Sequence, residues 1–267
     1  MGKVESIHKE TQMGGVEKSP GGVEIAYYTD PLDCWSWAME PAWRKFQYAF
    51  GGAFKVRYKM AGLLPSWKKD PDAMAGRNPI HMGPEWMHAR EISGMEINDS
   101  IWANDPPGSS LPACIAVKCA EHQSPDLGAR YLRLLREAVM LKGRNISRTE
   151  NLLEIASSLA DADASFNPVV FWRDLFSERS KAAFRSDWLE TKYIGVSRLP
   201  TLVFSSPGMR SVVLSGLQIF DGLKAALMAV SPDLQPTPRE QSCVAYMKFW
   251  HYRMTPREME VYEAQVS

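Results

Sequence analysis

The feature that most constrains this chain is a corner near its start. Val23 to Thr29 (VEIAYYT) has the β-branched and aromatic bias of a strand, and Asp30-Pro31 then turns the chain tightly. Cys34 follows where the first turn of a helix is predicted. A helix N-terminus carries partial positive charge and free N–H groups, both of which favour a thiolate. Such a corner therefore predicts thiol chemistry at Cys34. A two-thiol redox site reads Cys-x-x-Cys, however, and no second cysteine follows at that spacing.

Apolar periodicity extends the pattern. Trp43, Phe46 and Phe50 recur at helical intervals, so Trp35 to Phe50 is predicted as one helix ended by Gly51-Gly52. Phe54 to Met60 alternates apolar with basic residues, which reads as a half-buried strand. Strand, helix and strand form a βαβ unit with parallel pairing. Ala61 to Ser110 is rich in Pro, Gly, Met and Trp and should hold short helices, one near Glu85 to Ile92.

A helical block follows: Leu111 to His122, then Pro125 to Leu141 with Tyr131, Leu134, Leu135, Ala138 and Val139 on one face. Ser147-Arg148-Thr149-Glu150 reads as a capping box opening a third helix. Pro168 to Phe176 and Ser180 to Tyr193 complete the block. Pro200 to Ser205 and Ser211 to Ser215 then form an antiparallel hairpin around Pro207-Gly208, closed by a helix over Ile219 to Val230. The tail from Ser231 is Pro-rich and then helical over Ser242 to Tyr252 and Pro256 to Ala264.

Lys plus Arg equal Asp plus Glu at 31 each, so no charge imbalance points to nucleic acid or an anionic membrane. No apolar run approaches the ~20 residues that span a bilayer. The polar stretch Met1 to Gly22 has no apolar signal region and is expected to be a disordered lead-in to a cytoplasmic protein. Cys114 and Cys119 lie five apart on a predicted helix, about 8.5 Å between Cα atoms. A disulfide tolerates about 7 Å, so two reduced, buried thiols are expected. His81, His88, His122 and His251 have no metal-binding spacing, and no metal site is expected. Arg130, Arg133 and Arg136 are expected to form a solvated helix face.

The order βαβ, helical block, ββα, with a thiol heading the first helix and a proline opening the strand after the block, resembles the DsbA-like family. That implies an α/β thioredoxin fold with a large α-helical insertion. The likeness covers roughly Val23 to Val230. It rests on Asp30-Pro31-Leu32, Trp37 and Glu40-Pro41, on Met82-Gly83-Pro84-x-Trp86, and on Val196-Ser197-Arg198-Leu199-Pro200-Thr201. It is strongest to a cytoplasmic branch that includes FrnE-like proteins, 2-hydroxychromene-2-carboxylate isomerases, kappa-class glutathione transferases and YjbH-like ClpXP adaptors. On this reading residues 23–61 and 195–230 form the thioredoxin-like domain, 62–194 the inserted helical domain and 231–267 a helical tail.

In the family's register the attacking cysteine falls on Asp33 and the resolving cysteine on Ser36, with Cys34 one residue late. Two functions are therefore implied. The first is an enzyme in which Cys34 acts as a lone nucleophile, or Ser36 positions a glutathione thiolate, in thiol exchange, transfer or isomerisation. Two-cysteine oxidase activity is not expected. The second is a non-catalytic adaptor that binds an extended peptide. Asp33 serves as catalytic acid in the first reading and as a helix N-cap in the bland one. Cys34 is correspondingly a nucleophile or an inert buried thiol. Trp35 and Trp37, with Trp86, Trp102, Met82 and Met87, line a substrate cleft or simply fill the core. The resemblance makes Leu199-Pro200 a cis-proline loop that pairs with a peptide or with glutathione. No tightly bound cofactor is implied; the partner is a thiol-containing small molecule or a peptide.

Overall fold

The computed structural model describes residues 22–66, 79–250 and 254–264. Nearly all of the expected lead-in 1–22, the end of the first tail helix at Tyr252, and His251 lie outside the described residues, as does the side chain of His81.

Strand β1 (Val23–Thr29) leads through the Asp30-Pro31 turn into helix α1 (Cys34–Ala38), followed by α2 (Glu40–Phe50) and β2 (Phe54–Met60). The single helix expected over Trp35 to Phe50 is thus two, with Met39 between them. Pro41 is the reason. It lacks the N–H that would bond the Trp37 carbonyl, and its ring crowds that carbonyl, so the helix must restart. At the first turn of α2, by contrast, the missing donor costs little.

The next helices are α3 (Pro79–Ser93), α4 (Ile101–Asn104), α5 (Leu111–Glu121), α6 (Pro125–Arg136), α7 (Thr149–Ala162), α8 (Pro168–Leu175) and α9 (Glu178–Tyr193). The expected short helix at Glu85 to Ile92 is the C-terminal part of the longer α3. The helix expected to run to Leu141 changes after Arg136 into a π turn (Glu137–Leu141), and Gly143 ends it at φ +60°. The capping box expected at Ser147 does not form. The Ser147 hydroxyl instead donates to the Asn145 amide oxygen at 2.5 Å, and α7 starts behind Arg148 without a side-chain cap.

The chain then forms β3 (Thr201–Ser205), β4 (Val212–Ser215), α10 (Phe220–Val230), α11 (Cys243–Trp250) and α12 (Pro256–Glu263). The sheet order is β2-β1-β3-β4. β3 and β4 are antiparallel, as expected, with Thr201 opposite Ser215 and Phe204 opposite Val212.

Two compact units divide the chain. One comprises the residues up to Tyr27, Met39–Arg57 and Pro200 onwards; the other comprises Tyr28–Ala38 and Tyr58–Leu199. In the first, Phe46 stacks on Phe54 at 5.1 Å and meets the edge of Phe204 at 6.2 Å, which fixes α2 on the sheet. The tail packs on α2. Arg44 pairs with Glu258 at 2.8 Å with both side chains buried, and Glu258 also accepts from the Thr255 amide to complete a capping box for α12. Tyr246 stacks on Tyr262 at 3.9 Å, and both meet the edge of Tyr48.

The second unit holds a large apolar cluster into which Leu32, Cys34, Trp37, Met82, Trp86 and Trp102 all pack. α5 runs through it against α6 and α9. The expectation of two reduced thiols holds: Cys114 and Cys119 are free and buried, and donate to the Asp30 carboxylate (3.3 Å) and the Phe171 carbonyl (3.1 Å). Where α6 meets the end of α5 the backbones approach closely. A Cβ at Gly128 would lie 2.7 Å from Glu121 Cβ and 2.9 Å from its Cα. Gly128→Ala should therefore forfeit the ~1 kcal/mol that alanine normally gains in a helix and destabilise by roughly 1–2 kcal/mol through overpacking. Urea denaturation tests this; a variant more stable than the parent refutes the close approach.

Candidate functional site

The corner expected to hold a reactive thiol is built around two buried carboxylates. Asp30 accepts from the backbone amides of Leu32 (2.9 Å) and Leu63 (2.7 Å), the Ser110 hydroxyl (2.8 Å) and the Cys114 thiol. It ties the turn to the loop after β2 and to the start of α5. Burial raises its carboxyl, while these hydrogen bonds oppose the rise.

Asp33 caps α1. Its carboxylate accepts from the amides of Trp35 (3.3 Å) and Ser36 (2.9 Å), and from the Ser36 hydroxyl in a short contact. The Ser36 hydroxyl in turn accepts from Thr29 Oγ1 at 2.7 Å, and Thr29 Oγ1 accepts from the Arg136 guanidinium. All four side chains are buried. A continuous chain of donors thus runs Arg136, Thr29, Ser36, Asp33, and it delivers positive charge and hydrogen bonds to a carboxylate out of water.

This overturns the expected solvated arginine face. Arg136 is buried in that chain. Arg133 is buried with its guanidinium 4.5 Å from the Trp37 ring centre and 2.7 Å from Glu137, and Arg130 pairs with Asp163. The physical reason for Arg136 is the buried Asp33, whose charge needs a cation at hand, while Arg133 and Arg130 answer Glu137 and Asp163.

Cys34 occupies the first position of α1 and is 2 % exposed. Its side chain belongs to the apolar cluster. Burial pushes the thiol far up, and the adjacent Asp33 and nearby Glu85 charges push it further. The Cys34 and Trp35 amides pull the thiol down but do not offset burial and the two carboxylates, and the Trp35 and Ser36 amides also donate to Asp33. Ser36, expected as a donor toward a bound sulfur, is fully buried and already bonded on both sides.

Trp37 is core: its indole N–H donates to the Glu96 carbonyl at 3.0 Å. Trp86, Trp102 and Met82 are core as well, while Met87 is exposed. Trp35 is half-buried; its N–H donates to Glu85 at 3.1 Å and its ring meets the edge of His88 at 5.5 Å. The helix α3 that carries Glu85 and His88 thus lies beside the first turn of α1. Leu199 is half-buried at the end of the second unit. Pro200 is buried immediately before β3, and its carbonyl accepts from the Gly216 amide at 2.7 Å. Sequence reasoning placed Asp30 at the turn but missed its role, and those of Thr29, Ser110 and Arg136, in this network. Asp30 was signalled by the Asp-Pro turn and Arg136 as a cation repeated at helical spacing, while Thr29 and Ser110 are common residues whose partners lie far off in sequence.

Burial raises the Asp33 carboxyl from 3.8 to about 6, against the opposing pull of the Ser36 bonds and Arg136. Between those values the folded chain keeps a proton that the unfolded chain has released. The Asp33 contribution to stability is therefore fullest below pH 4 and is lost as the pH rises through 6, a change of roughly 3 kcal/mol. Asp33→Asn keeps a capping oxygen and removes the titration. Its stability relative to the parent should rise from pH 4 to pH 7 in denaturant titrations; parallel pH profiles contradict the assignment.

Comparison with known proteins places this geometry. Residues 27–221 match the model of a thioredoxin family. The ClpXP adapter protein SpxH of Halalkalibacterium halodurans is 30% identical over 229 residues, which are 82% of this chain and 72% of that protein. SpxH of Shouchella clausii is 32% identical over 182 residues, 68% of this chain and 57% of that protein. Among solved structures, the cytosolic disulfide reductase DsbM from Pseudomonas aeruginosa superposes with a TM-score of 0.58 at 21% identity, covering 79% of this chain and 93% of DsbM. That likeness carries the fold: an α/β thioredoxin fold with DsbA-like helical content. The protein belongs to the thioredoxin family and, within it, to the family of the SpxH proteins.

Proposed function

We propose that this protein is a non-catalytic cytoplasmic adaptor that binds a segment of another protein and delivers that protein to a ClpXP-type protease. The observation that carries the reading is the state of the corner. The thiol is buried, burial and the neighbouring carboxylates push its pKa up, and the Asp33 carboxylate accepts from the Trp35 and Ser36 amides. The names of the SpxH relatives supply the direction. In the loop before β3, Ser197 and Arg198 are exposed and Leu199 is half-buried, and this is where an extended segment would pair. Among the described residues no helix is long and apolar enough to cross a membrane, which agrees with a protein working beside a soluble protease.

The rival is monothiol or glutathione-linked exchange, transfer or isomerisation at Cys34 or Ser36. It requires Cys34 to reach solvent and to shed its proton against burial and two neighbouring carboxylates. An unactivated thiol is a small fraction thiolate at neutral pH, and a raised pKa lowers that fraction tenfold per unit.

Native Cys34 should react with iodoacetamide at pH 8 at least ~100-fold more slowly than a cysteine in a free peptide. Its labelling should accelerate only as urea unfolds the chain. Peptide mass spectrometry separates Cys34 from the half-exposed Cys243. In cells, removing the protein should lengthen the half-life of at least one ClpXP substrate, and Cys34→Ala should restore its turnover as well as the parent does. Rapid Cys34 alkylation together with a Cys34→Ala variant that behaves like the deletion would establish the enzyme instead.

A further inference from the structure

Helix α8 has two apolar faces, and only one is covered. Phe171 and Leu175 point into the core cluster beside the buried Asp174. Val169, Trp172 and Phe176 are 73 %, 58 % and 56 % exposed. At 100° per residue those three fall within about 60° of arc, opposite the buried side. A helix that is apolar all round is normally buried all round. Three large side chains in one stripe differ from the scattered apolar residues that any surface carries.

The charge beside the stripe says what suits it. Arg173 borders the stripe, about 40° beyond Val169 on the helix wheel, with its guanidinium 2.8 Å from Asp174. Arg179, exposed in the first turn of α9, also acts on Asp174 and holds its carboxyl down together with Arg173. Two exposed cations share one largely covered carboxylate, and the exposed Glu178 beside them is paired with Lys181 at 2.8 Å, so the rim of the stripe keeps a net positive charge. A second copy of the chain docked face to face would set these arginines against their own mates.

We infer that this face of α8 is a docking site for an amphipathic, acidic helix of a protein partner. Its apolar ridge would pack on Val169, Trp172 and Phe176, and its carboxylates would meet Arg173 and Arg179. The inference rests on the adaptor reading and names a surface through which an adaptor would hold a protein. Trp172 is the anchor, because aromatic residues at the centre of an interface dominate binding energy.

The test places a photo-crosslinking benzoylphenylalanine at position 172 of the full chain in cells, with a second probe at exposed Leu189 as control. Mass spectrometry then identifies the captured segment. The expected result is a segment of another protein, captured from 172 and not from 189, with apolar residues at i, i+3 or i+4 and i+7 and with Asp or Glu beside them. A synthetic peptide of that segment should bind the purified chain at least 10-fold more weakly after Trp172→Asp, and after Arg173→Glu. Replacing the peptide carboxylate by Lys should restore binding to Arg173→Glu. Because Trp172 is largely solvated, its Asp variant should unfold at the parent's urea midpoint; if it does not fold, the Arg173→Glu charge swap decides alone. Capture of a second copy, of another part of the same chain, of a basic or extended segment, or of nothing beyond the control overturns the inference. Substrate half-life with and without the protein separates this from the adaptor reading. Unchanged half-lives refute the adaptor, whereas altered half-lives without a position-172 capture refute only the α8 face.

Discussion

The candidate site depends on one buried interaction, the capping of α1 by the Asp33 carboxylate. A charge taken out of water must be met by hydrogen bonds and an opposite charge nearby. Here the Trp35 and Ser36 amides supply the first, and a line of hydroxyls leading to Arg136 supplies the second. That demand draws an arginine of α6 inward and closes the Ser36 hydroxyl to any ligand. Asp30 imposes a similar demand one turn earlier, and Ser110 and Cys114 of the α5 region answer it. Two adjacent carboxylates thus bind the first corner of the chain to helices 80 to 107 residues away in sequence.

Most of the architecture was legible because it rests on local signals. Alternation in Phe54 to Met60, the apolar spacing of α5 to α9 and the Pro207-Gly208 turn each report on their own segment, and the structure places elements there. The errors arose where a local signal had a competitor. Pro41 was tolerable within a helix start and intolerable mid-helix, so the choice between one helix and two turned on a single missing N–H. Ser147 resembled a cap but sits two residues after Asn145, whose side-chain oxygen takes both its amide and its hydroxyl. The arginine run had the spacing of a surface face, and nothing local to it announces a buried carboxylate a hundred residues earlier.

The same limit applied to the thiol. Sequence position put Cys34 at a helix start, which favours ionisation, and beside Asp33, which opposes it. Two facts that only the fold supplies decide the balance. The helix is five residues long, so few aligned peptide dipoles stand behind its N-terminus. The sulfur also turns into the apolar cluster, where loss of hydration outweighs what those dipoles offer.

A helix mouth has few free amides, and a thiolate and a carboxylate compete for the same ones. In α1 the Trp35 and Ser36 amides go to the Asp33 carboxylate and the Trp37 amide to the Asp33 carbonyl. Removing the carboxylate would not by itself free a nucleophile. Arg136, Thr29 and Ser36 are arranged around a negative oxygen at position 33, and Cys34 faces the other way, into the core. The Asp33 network at this corner is therefore built into the packing of several elements. A nucleophile that is attacked, released and regenerated would need that packing to open, because every member of the network is out of water.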